Sequence, residues 1–277
     1  MRALKTVFDF YINSSIHVAL AIVAMTCITC LEFNISLDIN VLSFICFASI
    51  TGYNFVKYFG LAKFHYRSLS SKLKFIQVFS LASFLVMCFF ALQLNTSSLI
   101  AILIFGIVTF LYAIPLLPNR FFVDKKKKLR SISGLKIYII ALVWAGVTVF
   151  LPLINGDFEI SNDVILSGIQ RFIFVMVLML PFEIRDLRYD SLKLSTIPQQ
   201  IGVKLTKVIG IILSLLVLAL EYFKDDINLS HTLSLTLIIV VTLLLLRFST
   251  KQQGKYYSGF WVESLPIWWL LLLLMFC

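Results

Sequence analysis

An acidic octet, Glu183-Ile-Arg-Asp-Leu-Arg-Tyr-Asp190, ends a long apolar run of the chain. If it is helical, Glu183 lies one turn before Asp186 and Asp190 lies four residues after it, so the carboxylates share one face. Negative charge at a membrane boundary is costly unless a cation compensates it. A divalent cation that also contacts a phosphate would do so, and the spacing therefore indicates a metal and phosphate site.

The same residues have a simpler interpretation as surface ion pairs at a helix end. Charged side chains one turn apart commonly pair with each other in such places. Asp186 and Asp190 have basic neighbours close in sequence: Arg185, Arg188 and Lys193. Spacing alone leaves both interpretations open.

The elements that position these residues are predicted to be transmembrane helices. Apolar residues make up 60% of the 277 residues and charged residues 14%, against about 25% charged in an average soluble domain. Nine apolar stretches approach the length of about 20 residues that a membrane-spanning helix needs. They run continuously rather than alternating, which favours helices over barrel strands. The stretches are 16–31, 39–55, 75–94, 98–117, 135–154, 164–182, 205–223, 233–246 and 260–277.

Basic residues predict the orientation of these helices. With the N-terminus in the cytosol, all Lys and Arg residues except Arg171 and Lys224 fall on the cytosolic side. The net charge of +10 is thus explained by topology, and no nucleic-acid partner is expected. The stretch 124–128, Asp-Lys-Lys-Lys-Lys, is expected to meet anionic membrane lipids. We expect one domain over 1–277, integral to a bacterial inner membrane, with its site on the cytosolic face.

The residues around the octet resemble a motif of a known family. The stretch PFEIRDLRYD at 181–190, followed by LSTIP at 194–198 and Gly202, is similar to the second aspartate motif of UbiA-type intramembrane prenyltransferases. In that family a DxxxD element precedes a Thr-Leu-Pro-like stretch and a glycine. The predicted bundle of about nine helices is also similar to the topology of the family.

The resemblance implies a UbiA-like all-α bundle and an enzyme that ionises a prenyl diphosphate with the help of Mg²⁺. The allylic carbocation is then captured by a lipophilic acceptor of the aromatic or quinone type. By the same resemblance, Glu183, Asp186 and Asp190 would hold the metal, and Asp186 and Asp190 would be catalytic.

The first motif of the family is altered in this sequence. The family places Asn or Asp after the second span, followed by acidic residues at four-residue spacing. Asn54 is in place, but Tyr58 and Ala62 occupy the acidic positions. One explanation is that fixed positive charges contact the diphosphate instead of a second metal ion, with Lys57 as a catalytic residue. The diphosphate ligands would then be Asn54, Lys57, Lys63, Arg67 and Lys193, with His65 as a further candidate.

The altered first motif also leaves room for a function without catalysis. The protein could be a catalytically degenerate member of the family that binds an isoprenoid lipid or a membrane partner without turnover. Lys57 could also be a lysine that snorkels at a helix end. A transporter ranks third, because the sequence shows no clear inverted repeat.

Several further residues of interest lie inside the predicted spans. Arg171 lies about two turns inside the sixth span, where snorkelling to the surface is the favoured explanation. Glu263 is predicted either to reach the same cavity as the octet or to pair with Lys255. Cys27 and Cys30 form a CxxC without a second pair, which favours packing over metal binding.

Overall fold

The computed structural model describes residues 2–62, 71–113, 134–188 and 196–276, and these ranges contain helices and short connections but no strand. The all-α prediction is confirmed. The helices are α1 (Arg2–Asn13), α2 (Ile16–Glu32), α3 (Ile39–Ala62), α4 (Ser71–Ala91), α5 (Thr96–Ala113), α6 (Leu135–Ala145), α7 (Leu151–Asn155), α8 (Asn162–Asp186), α9 (Ile197–Glu221), α10 (Leu229–Phe248) and α11 (Leu265–Phe276). Two π-helical turns, Gly146–Phe150 and Tyr257–Val262, precede α7 and α11.

The helices have the length and polarity of membrane spans. Over the described residues, seven are long and apolar enough to cross a bilayer, or eight if the bent pair α1 and α2 forms one span. The described part of α5 contributes a shorter apolar helix, Thr96–Leu111. Over the described residues each of the nine predicted stretches overlaps a helix, while the number of candidate spans is seven or eight, and the chain is an integral membrane protein.

Successive spans alternate in direction, so polar contacts gather at two ends of the bundle. One end of the bundle, at which α3 and α8 finish, is called the basic end. Towards this end, Asn54 Nδ2 on α3 donates to Ser80 Oγ on α4 over 2.8 Å. At the opposite end, Ser167 Oγ on α8 donates to Glu32 Oε1 on α2 over 2.5 Å. The cytosolic location of the basic end stays a prediction of the charge distribution.

Helix α8, which carries the acidic octet at its end, is the central helix of the bundle. Within its apolar window 72% of the residues are buried, against 11% for α4. The buried apolar residues that surround it form one connected core that extends from Val18 to Leu273. Most side chains of α8 therefore meet other helices, while Ile165 and Ile169 near its start are exposed.

Arg171 on α8 is buried, with 2% of its surface exposed, so the prediction that it snorkels is wrong. Its guanidinium donates to Met25 O over 2.7 Å and to Thr29 Oγ1 over 3.2 Å, both on α2. The guanidinium carbon also lies 5.2 Å from the ring centre of Trp269. Because α8 is central, the side chain meets α2 and α11 before it can reach a membrane surface.

A buried ionic network closes the opposite end of the bundle. Lys224 Nζ lies 2.6 Å from Glu32 Oε1 and 2.8 Å from Glu221 Oε2. His231 Nδ1 lies 2.9 Å from Glu221 Oε1. These side chains are at most 9% exposed, and they join the ends of α2 and α9 to the start of α10. Removal of one partner from such a network leaves a buried charge uncompensated.

We expect Glu221→Gln to lower the free energy of unfolding by about 3 kcal/mol, because Lys224 and His231 lose their shared carboxylate. Denaturant unfolding of the purified protein in detergent measures the effect. Glu159→Gln is the control, since Glu159 is exposed near the same end and no shift is expected. Equal stability of the two variants would contradict the structural role of the network.

The backbone conformation near the start of α9 explains why the motif has a glycine at Gly202. Gln199 Oε1 accepts a hydrogen bond from Thr196 N over 3.1 Å at the helix start. Gly202 then interrupts the helix with φ 78° and ψ 163°. This backbone region is essentially restricted to glycine, because a Cβ atom would strain it.

Gly202→Ala is expected to destabilise the protein by about 1–3 kcal/mol through backbone strain. Crowding is not the cause, because no atom lies within 4 Å of a Cβ built there. Gly52→Ala is the matched control, since Gly52 is equally uncrowded but lies in regular helix. Thermal unfolding in detergent should leave the control at wild-type stability or above, and a similar loss in both variants would argue against strain at Gly202.

Candidate functional site

The bend between α1 and α2 organises the basic end. The two helices meet at 57°, and Ser15 at the bend has φ 65° and ψ 17°. This left-handed conformation is uncommon for a residue with a side chain, and such strain concentrates at functional sites. Ser15 Oγ donates to Asn54 Oδ1 over 2.9 Å and accepts from Lys57 Nζ over 2.8 Å. One strained serine thus connects both candidate residues of α3.

Asn54 is buried, with 2% of its surface exposed, and its contacts are to protein groups. Its Nδ2 donates to Ser14 O over 2.9 Å and to Ser80 Oγ over 2.8 Å, so both amide hydrogens have partners. Tyr58, at a position where the family has an acidic residue, donates to Asn13 O over 2.9 Å. The altered first motif therefore holds α3 against α4 and against the bend between α1 and α2, and a phosphate contact of Asn54 stays a prediction.

The described part of the octet lies at the end of α8. Glu183 is buried, with 1% of its surface exposed, and Asp186 is partly exposed. Asp186 Oδ1 accepts from Arg185 Nε over 2.9 Å and from its terminal nitrogen over 2.7 Å. Lys136 Nζ lies 3.4 Å from Asp186 Oδ2 and is a neighbour that the sequence did not indicate. A lysine at the start of an apolar run is typical of any cytosolic helix end. The sequence therefore gave no reason to predict that this lysine pairs with α8.

Several predicted site residues lie outside the described ranges. They are Lys63, Arg67, Asp190 and Lys193, together with the further candidate His65. Helix α8 ends at Asp186, and Leu187 and Arg188 form a turn. The prediction that one continuous helix aligns all the carboxylates of the octet therefore needs correction, because the helix stops before Asp190.

Contacts of neighbouring residues place Glu263 between α8 and α2. It directly follows the π-helical turn Tyr257–Val262. Within that turn, Ser258 Oγ donates to Pro181 O on α8 over 3.4 Å. The next residue, Ser264, has its Oγ 3.0 Å from Nε2 of His17 on α2. Glu263 is thus held beside the end of α8 and the start of α2.

The Glu263 carboxylate interacts electrostatically with Lys57 on α3 and with Arg185 on α8. The contacts place both cations near Glu263. Ser264 contacts His17, two residues after the Ser15 hydroxyl that binds Lys57. Ser258 contacts Pro181, four residues before Arg185 on the same helix. Lys255, the alternative partner predicted for Glu263, pairs with Asp9 instead. The hydrogen bond to Asp9 raises the pKa of Lys255. The pairing of Glu263 with Lys255 is therefore not what the structure has, and a cavity that Glu263 shares with the octet stays a prediction.

The acidic residues of the site are chemically suited to Mg²⁺, although they do not form a complete protein cage. Within the described ranges, no group of three or more His, Cys, Asp or Glu side chains could hold a metal ion. Mg²⁺ is commonly bound by one or two carboxylates, with phosphate oxygens and waters as its other ligands. Glu183 and Asp186, one turn apart, provide such oxygen donors beside the cations.

Comparisons with known proteins support the fold. No protein-family model matches the sequence, and no curated protein matches it. Among solved structures, the chain is similar to digeranylgeranylglyceryl phosphate synthase, with a TM-score of 0.58 over 99% of this chain and 98% of that chain. The two chains share a fold. At 17% sequence identity, the likeness concerns the fold alone.

Ser15→Ala should cost about 1–2 kcal/mol of stability, because Asn54 and Lys57 lose a shared partner. Ser15→Gly loses the same hydroxyl but relieves the left-handed backbone, which offsets up to about 1 kcal/mol. Denaturant unfolding should therefore rank wild type first, Ser15→Gly second and Ser15→Ala last. Equal stability of the two variants would mean that the backbone at Ser15 is not strained.

Proposed function

We propose that this protein is a UbiA-type membrane prenyltransferase that transfers a prenyl group from a prenyl diphosphate to a lipophilic acceptor of the aromatic or quinone type. One observation carries the proposal. In a bundle with the fold of a membrane prenyltransferase, the acidic end of α8 and Lys57 of α3 meet at the same end. This arrangement joins carboxylates to fixed cations, as a diphosphate leaving group requires.

In this proposal, some residues bind the phosphate oxygens directly and others bind them through a metal ion. Lys57 and Arg185 would contact phosphate oxygens as fixed cations. Glu183 and Asp186 would hold Mg²⁺ together with Asp190, and the bound ion neutralises charge on the leaving diphosphate. The carbon–oxygen bond to the allylic carbon breaks with its electron pair on the diphosphate, and the acceptor then bonds that carbon and releases a proton. Further diphosphate ligands in this proposal are Asn54, Lys63, Arg67 and Lys193.

Lys57 takes the place of the missing carboxylates of the first motif. In this proposal its ammonium compensates phosphate charge directly, where a metal ion bound by acidic residues would otherwise do so. Ser15 orients it, since the Ser15 hydroxyl accepts from Lys57 Nζ over 2.8 Å. The basic end would face the cytosol of a bacterial cell, where a soluble diphosphate product can leave.

We expect Asp186→Asn and Asp190→Asn each to lower Mg²⁺-dependent diphosphate release by about a hundredfold, because charge stabilisation in the transition state is lost. The assay measures diphosphate released from a panel of prenyl diphosphates by the purified protein. Asp163→Asn is the control, since Asp163 lies on the same helix but at its other end. If the folded protein releases no diphosphate from any donor, the proposal is refuted. If both variants release diphosphate at the wild-type rate, these carboxylates are surface ion pairs and have no catalytic role.

A non-catalytic isoprenoid-binding protein is the second candidate function. It is favoured by the contacts of Asn54 and Tyr58, which bind protein groups where the family has metal-binding residues. A protein of this kind would bind prenyl diphosphates with an affinity that a chelator does not change, and it would release no diphosphate. The release assay with and without EDTA therefore separates the two functions.

A further inference from the structure

Lys57 and Arg185, the two cations considered at the basic end, bind different kinds of partner. Within the described ranges, the direct hydrogen bond of Lys57 Nζ is to the neutral hydroxyl of Ser15. Arg185 binds Asp186 and lies with its guanidinium carbon 5.3 Å from the ring centre of Phe182. The charge of Lys57 is therefore not cancelled by a carboxylate in direct contact.

Glu263 lies near both cations, but over the described parts of the chain no direct hydrogen bond or ion pair joins it to either. Ser258 contacts Pro181, four residues before Arg185 on α8. Ser264 contacts His17, two residues after the Ser15 that binds Lys57, so the backbone at Glu263 is fixed on both sides. The carboxylate is thus held near the cations without occupying their hydrogen-bonding positions.

An anion-binding site in an apolar bundle must keep its cations close together even when no anion is bound. Two cations close together are unfavourable when no anion is bound, because their repulsion is weakly screened. A carboxylate nearby offsets the repulsion while the site is empty. A diphosphate can then take the direct contacts, and the carboxylate becomes a competitor for the same cations.

We propose that Glu263 is the resident counter-ion of the anion site, which holds Lys57 and Arg185 ready for a diphosphate and competes with it for these cations. The proposal rests on the proposed function for the identity of the anion. Glu263 is a positioning residue in this account, and its effect passes through Lys57 and Arg185.

The test is a titration of the full-length protein in detergent with inorganic pyrophosphate, in EDTA so that no metal ion contributes. Glu263→Gln is expected to lower the dissociation constant about fivefold, because a competing charge is removed. Lys57→Gln is expected to raise it about tenfold, because a charged ligand is lost. In the double variant, Glu263→Gln should change the constant less than about twofold, because the two residues are coupled.

Two control variants separate charge from shape and from general electrostatics. Glu263→Asp keeps the charge and should keep the wild-type constant. Asp9→Asn removes a carboxylate at the same end, but one that pairs with Lys255, and it should change nothing. An unchanged constant in Glu263→Gln, an equal gain in the Lys57→Gln background, or an equal gain in Asp9→Asn would each overturn the proposal. If Glu263→Gln does not fold, a wild-type constant in Lys57→Gln still overturns it.

The outcome is distinct from that of the prenyl-transfer assay. The titration contains no prenyl group and needs no turnover. Coupling between Glu263 and Lys57 without diphosphate release from any donor would sustain the counter-ion and refute the transferase. Diphosphate release without that coupling would sustain the transferase and refute the counter-ion.

Discussion

Compensation of buried charge is the constraint on which this bundle depends. An ionised group in an apolar interior is stable only when other groups of the protein replace the water it has lost. At one end, Lys224 and Glu221 meet this requirement by direct contact. In the middle, Arg171 meets it with carbonyl and hydroxyl oxygens of α2. At the basic end, Lys57 meets it only in part, and this incompleteness is what an anion-binding site needs.

The irregular parts of the backbone lie where these polar contacts are made. Ser15 adopts a left-handed conformation at the bend where its hydroxyl binds Lys57. One π-helical turn directly precedes Glu263, and the other contains Thr148, whose hydroxyl lies 3.5 Å from Arg171. Such π-turns are frequent at functional sites, because they shift side chains out of the regular helical register. The bundle thus departs from ideal helices where it must aim a polar group.

Sequence reasoning succeeded for features that depend on local pattern. Apolar length predicted the helices, and the helical membrane bundle that it implied is a fold that the solved structure of digeranylgeranylglyceryl phosphate synthase shares. It failed for Arg171, because only the packing of α8 at the centre shows that no surface is within reach. It left Glu263 between two environments, because the separation of 206 residues from Lys57 carries no contact information. The role of Ser15 could not be predicted, because the sequence does not show which serine adopts a left-handed backbone conformation.

The sequence by itself determined the helical membrane fold, the segregation of basic residues and the acidic octet, since each follows from hydrophobicity, charge or spacing along a short segment. The tertiary structure decided which charges meet. It placed Glu263 of the last span between α8 and α2, paired Lys255 with Asp9, and buried Arg171. These outcomes depend on the packing of distant helices, and short-range sequence patterns do not record the distances that set electrostatic interactions.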